Sequence, residues 1–234
     1  MLIGVPQQLE QPAEALTIGV GARPLRLARK CQVADSTSRW HTFEAMITDN
    51  DLSPPYRTRP LRRAEYHQLV EMGVFVDERI ELLAGELVEM SPQGAAHAEV
   101  IGRLNEILVL AFSGYARVQV QTPVAATEES EPEPDFAIIA KGDYSQALPE
   151  HAYLVIEVAV SSLRKDAGIK SRIYAAAAIP AYWVVDVSSR QVLVHTDPRD
   201  GCYQSITTLQ ESETLTLAQF PHIAIAIAAL LPTA

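Results

Sequence analysis

Asp135, Glu157 and Lys170 are the residues of this chain whose types and settings suit chemistry. Asp135 ends the run Glu131-Pro132-Glu133-Pro134-Asp135 and opens an apolar segment, its approach fixed by Pro134. Glu131, Glu133 and Asp135 alternate, so an extended chain points all three to one side. Glu157 stands between Ile156 and Val158 and shares its strand face with Val155 and Ala159. A carboxylate in such a strand must be paired, metal-bound or protonated, because burying it bare is costly. Asp166, Lys170 and Tyr174 recur every four residues, one stripe of a helix. The strand bearing Glu157 runs into that helix through Ser161-Ser162, so Lys170 can fold back over the strand end. Two carboxylates and a lysine on adjoining elements suit phosphodiester hydrolysis. Asp135 and Glu157 would offer hard oxygen ligands, which favours Mg2+, with Mn2+ as an alternative, over zinc. The cation would polarise a phosphate oxygen and acidify a bound water, and Lys170 would orient that water or offset developing charge.

Each residue also has an ordinary structural role open to it. Asp135 could cap a turn after proline, Glu157 could pair with Arg103 or Arg172, and Lys170 could pair with Asp166 on a solvated helix face. Glu81 and Glu86 are candidates for one further acidic group, against a polar hairpin edge. His97 near a helix start could approach phosphate or water, against a structural or capping role. Glu131 and Glu133 read as a solvated acidic approach, and Tyr182 and Trp183 as core aromatics. Arg164, Lys165 and Arg172 could touch a nucleic-acid backbone, though a charged helix face explains them equally.

The elements that must position these residues follow from periodicity. A short amphipathic helix begins at Arg62 and stops at Gly73. Ala84-Gly85 between two alternating segments predicts a hairpin. Residues 95–112 place Val100, Ile101, Leu104, Ile107, Leu108 and Leu110 on a broad apolar face, a helix of about five turns. Strands are expected at 118–122, 136–140 and 153–160, and a second helix at 163–178 ended by Ile179-Pro180. Segments 182–187 and 192–195 suit a hairpin, followed by a strand at 205–209 and a closing apolar segment at 223–231. The order predicts an α/β fold, a mixed sheet with a helix on each face. Residues 1–55 show no sustained period and end in Ser53-Pro54-Pro55, so an irregular extension precedes a domain over 56–234. Met46 is a candidate natural start.

Composition bounds the rest. The 234 residues are 48% hydrophobic and 21% charged, enough for a packed core. The two cysteines, Cys31 and Cys202, form no C-x-x-C pair, which argues against a disulfide framework or structural zinc and for a reducing, cytoplasmic setting. No stretch approaches the roughly 18–20 apolar residues of a membrane span, and the first residues do not read as a signal peptide. The formal net charge of −10 argues against holding duplex DNA by charge alone. The first 55 residues hold five basic and six acidic residues, so most of that charge lies in the later domain.

Five blocks occur in order: E-L-L-A-G-E-L-V-E-M-S-P from Glu81; Gly94 with His97; E-P-D-F from Glu133; V-I-E-V-A-V-S-S-L-R-K-D-A-G-I-K-S-R-I-Y from Val155; and I-P-A-Y-W-V-V-D from Ile179. Together they resemble the Uma-two family of restriction-endonuclease-like proteins, within the PD-(D/E)XK nuclease superfamily, over residues 60–232. The resemblance implies a restriction-endonuclease-like central mixed sheet flanked by helices, a metal site of Asp135 and Glu157, and Glu81 rather than Glu86 as auxiliary acid. A strict (D/E)-x-K would place lysine at position 159, where this chain has Ala159; the matching lysine is Lys170, on the following helix. DNA is the implied substrate, and a homodimer is a candidate assembly; the 223–231 segment could be its seam or equally an ordinary core strand or helix. Two rival readings are a catalytically silent binding module on the same fold and a metal-dependent hydrolase of some other substrate.

Overall fold

Residues 58–160 and 166–232 are described by the computed structural model, together with the backbone of two short antiparallel strands, β1 (Cys31–Ala34) and β2 (Trp40–Phe43). That pair falls inside the segment expected to be irregular; the rest of residues 1–55 lies outside the described residues.

Helix α1 (Arg63–Glu71) leads into a hairpin of β3 (Ile80–Leu83) and β4 (Glu86–Glu89). Its two-residue turn has φ of 52° at Ala84 and 84° at Gly85, the doubly left-handed turn that matches strand twist. Gly85 is required on two counts, since a Cβ there would also lie 2.2 Å from the Cβ of Pro60. Helix α2 (Ala95–Phe112) buries Val100, Leu104, Leu108 and Phe112, one per turn.

The main sheet has the order β10-β9-β8-β7-β6-β5. Its strands are β5 (Arg117–Val120), β6 (Phe136–Ile139), β7 (Leu154–Ala159), β8 (Ala181–Asp186), β9 (Gln191–Arg199) and β10 (Cys202–Gln210). β7 and β8 are parallel and the other pairings antiparallel, so the sheet is mixed. A parallel pair needs a crossover, which here contains a π-helical turn at Asp166–Lys170 and helix α3 (Ser171–Ala176). One α-helix was expected over 163–178. Gly168 weakens α-helical preference at the turn, and the Asp166 carbonyl accepts a hydrogen bond from the Tyr182 hydroxyl instead of serving only the helix. Residues 161–165 lie outside the described residues.

β6, β7 and β8 are buried along their whole lengths, as central strands covered on both faces must be. Phe136, Ile138, Leu154, Ile156 and Val158 point to one core, which contains the α2 stripe. Ala137, Ile139, Val155 and Ala159 point to the other, with Tyr174 and Ala175 of α3 and Tyr182 and Tyr203. The predicted helix on each face is therefore present.

The chain closes with a hairpin of β11 (Thr214–Leu217) and β12 (Phe220–Ala226) and the short helix α4 (Ile227–Leu230). Ile223, Ile225, Ile227, Leu230 and Leu231 are buried in the α2-side core. That segment is a core element of its own domain, one of the two roles expected of it. Cys202 is disulfide-bonded, which departs from the expectation of reduced cysteines. No described helix is long and apolar enough to cross a membrane.

Candidate functional site

Strand register builds the site. Val120 faces Phe136, and Phe136 faces Ile156. One step further along each ladder, Gln121, Asp135 and Glu157 form a row across three strands. The Gln121 amide donates to the Asp135 carbonyl at 3.0 Å. Directly opposed residues hold their Cβ atoms about 4.5–5.5 Å apart. Because side chains alternate, Glu157 falls on the face of Val155 and Ala159, beneath α3, while Asp135 stands one residue before β6.

Lys170 comes down on this row at the end of the π-helical turn. Its Nζ donates to Glu157 Oε1 at 2.8 Å and lies 3.1 Å from Glu81 Oε2. Tyr174, one turn later, donates its hydroxyl to the same Oε1 at 2.8 Å. Asp135 Oδ2 accepts the Val158 amide at 2.8 Å and lies 3.2 Å from His97 Nε2, while Gln121 Nε2 reaches Oδ1 at 3.4 Å. The Glu133 amide donates to Glu81 Oε2 at 3.4 Å. The structure thus gathers all five predicted residues, Asp135, Glu157, Lys170, Glu81 and His97, into one cluster.

The cluster is buried: Glu81, Asp135, Glu157 and Lys170 are 1%, 6%, 4% and 2% exposed. Burial pushes the Glu157 carboxyl up to about 8; Lys170 opposes the rise, and the nearby Asp166 and Asp135 add to it. Burial works to lower Lys170, but attraction to Glu157 and then Glu81 outweighs it and holds the ammonium above the ordinary lysine range. The two directions agree physically: Lys170 stays charged, and crowding of carboxyls around it favours one bound proton or an added cation. Among the described residues no group of three or more His, Cys, Asp and Glu forms a ready-made metal cage. The donor set is a pair of opposed carboxylates. It fits a hard cation that keeps most of its ligands as water or phosphate, as Mg2+ does, better than zinc.

Glu131 and Arg172 depart from expectation, and the other candidates take ordinary places. Glu131 is not a solvated approach residue: it is 5% exposed, contacts His67 Nε2 at 2.5 Å, and lies 3.9 Å from Arg63. Glu133 pairs with Arg79 at 3.2 Å. Glu86 is exposed on β4, away from the cluster. Arg103 bonds Glu99 and the Leu231 carbonyl rather than Glu157. Arg172 is buried rather than displayed on a charged helix face. Arg164 and Lys165 lie outside the described residues. Tyr174 and Gln121 were missed as site residues. Tyr174 carried a signal in its stripe with Lys170; Gln121 carried none, since its place depends on register and on a left-handed φ of 47°. A cleft lined by Ala84, Ser130, Arg172, Ile173 and Cys202 contains none of the five clustered side chains.

Comparison with known proteins agrees with this architecture. The crystal structure of a protein titled a putative nuclease belonging to DUF820, from Anabaena variabilis, superposes with a TM-score of 0.60 at 12% identity, covering 73% of this chain and 97% of that one. At that identity the likeness speaks to the fold alone. No curated protein matches the chain. The model of the Uma2 family, described as "Putative restriction endonuclease", matches residues 63–228, a span that includes Glu81, His97, Asp135, Glu157, Lys170 and Tyr174. With well over half its length matched, this chain belongs to the Uma2 family.

Proposed function

We propose that this protein is a metal-dependent endonuclease that hydrolyses phosphodiester bonds in DNA, with Mg2+ held by Asp135 and Glu157 and Mn2+ able to replace it. The observation that carries the reading is the β6–β7 register, which, continued one residue past the paired segment, sets Asp135 opposite Glu157, with the Lys170 ammonium 2.8 Å from Glu157. A divalent cation bound there supplies a polarised phosphate oxygen and a more acidic water. Lys170 holds a fixed positive charge where charge develops on the phosphoryl group, in a setting where its attraction is little screened. His97 and the Val158 amide orient Asp135 through one of its oxygens. Glu81 keeps Lys170 drawn to the row and charged.

Purified protein with Mg2+ or Mn2+ should nick or linearise plasmid DNA, and Asp135→Ala should abolish cleavage while leaving the fold intact by circular dichroism. Cleavage that survives Asp135→Ala would sink the reading. The net charge of −10 and the low exposure of the cluster favour one second reading, a catalytically silent module on the nuclease fold. It predicts no cleavage of DNA or RNA by a protein that still binds the cation.

A further inference from the structure

We infer that Tyr174 is a positioning residue that, with Lys170, holds Glu157 to a single free oxygen and so sets a preference for small divalent cations over Ca2+; the inference rests on the metal site proposed above. Two donors converge on one oxygen. Lys170 Nζ and the Tyr174 hydroxyl both donate to Oε1, each at 2.8 Å. Oε2 accepts no hydrogen bond from the described residues. A carboxylate pinned this way resists rotation about its last bond, because turning it breaks both contacts.

Single-oxygen coordination suits Mg2+, which demands near-octahedral geometry at about 2.0–2.1 Å. Ca2+ accepts two oxygens of one carboxylate and six to eight ligands in all. The clamp therefore withholds the coordination mode in which Ca2+ gains most. Tyr174 is built to hold its post. It is fully buried, and its ring lies 4.9 Å from that of Tyr182. Tyr203 is a natural comparison, an equally buried tyrosine on the same sheet face whose hydroxyl donates to the Ile179 carbonyl and makes no contact with Glu157.

The test is calorimetric titration of the metal-free, full-length protein with MgCl2, MnCl2 and CaCl2, comparing wild type, Tyr174→Phe, Lys170→Gln and Tyr203→Phe. Loss of an outer partner of a metal ligand typically costs 10–100-fold in affinity. Tyr174→Phe should weaken Mg2+ and Mn2+ at least tenfold while Ca2+ changes by less than about threefold. Lys170→Gln should move the ratio in the same direction, and Tyr203→Phe should leave it unchanged. Circular dichroism establishes which variants fold; Tyr174→Phe keeps every atom of the ring, and Lys170→Gln stands in if it does not fold. An unchanged Mg2+/Ca2+ ratio in a folded clamp variant overturns this inference and leaves the proposed metal site standing. An equal shift in Tyr203→Phe overturns it as well, by making the effect a general one of buried hydroxyls. A wild-type protein that binds none of the three cations overturns both.

Discussion

Replacing Glu157 by glutamine should flatten a pH dependence of stability that the buried carboxyl imposes on the metal-free protein. Burial, opposed by Lys170, places its pKa near 8 in the folded chain, against 4.5 when exposed. Between those values the folded state holds a proton that the unfolded state has released. The stabilisation is therefore fully present below pH 4.5 and is lost as pH rises through about 8. Each tenfold change in proton affinity is worth about 1.4 kcal/mol, so the interval from pH 6 to pH 8 removes on the order of 3 kcal/mol. For a domain of this size each kcal/mol moves Tm by about 2–4 °C. Relative to Glu157→Gln, the wild type should thus melt roughly 6–12 °C lower at pH 9 than at pH 6. Thermal melts in EDTA across pH 5–9 measure this, and subtracting the two proteins cancels the titrating groups not coupled to Glu157. A saturating divalent cation should restore most of the loss at pH 9 in the wild type, since it takes the place of the proton. Wild-type and Glu157→Gln melting curves that run parallel across the range would refute the reasoning.

Two other perturbations probe the scaffold. His195 is 1% exposed between the rings of Tyr182 and Tyr203, and burial pushes its pKa down to about 4. It should stay neutral at pH 5.5 by NMR and destabilise the fold only as pH falls from about 6.5 through 4; a titration midpoint near 6.5 in the folded protein would contradict that. Gly85→Ala meets Pro60 at 2.2 Å and a φ of 84°, so it should cost about 1–3 kcal/mol, lower Tm by roughly 2–12 °C and weaken Mg2+ binding by shifting the hairpin that carries Glu81. Unchanged Tm and unchanged affinity would show the hairpin to be more pliant than its contacts suggest.

Much of this was legible in the chain. The α2 stripe, the Ala84-Gly85 turn and the apolar runs of β6, β7 and β8 are local patterns, and local patterns determine element type. Glu157 stood out because a charge inside a buried strand has no cheap explanation, and Lys170 because it shares a helical stripe with Tyr174. The failures have a physical pattern too. Glu131 looked solvated because sequence shows its own charge but not His67 and Arg63 arriving from α1. The segment 223–231 left a dimer seam and a core element equally open because its partner, α2, lies more than a hundred residues earlier.

By itself the sequence determined most of the elements around the site and the strand that bears Glu157, since both follow from spacing along one segment. Tertiary structure alone decided that Gln121, Asp135 and Glu157 stand in one row, and that Lys170 and Tyr174 meet the same oxygen of Glu157. Register between strands is a long-range choice, settled by which cores the flanking apolar residues fill. At the π-helical turn Tyr182 donates to the Asp166 carbonyl, a contact between segments that neither contains alone.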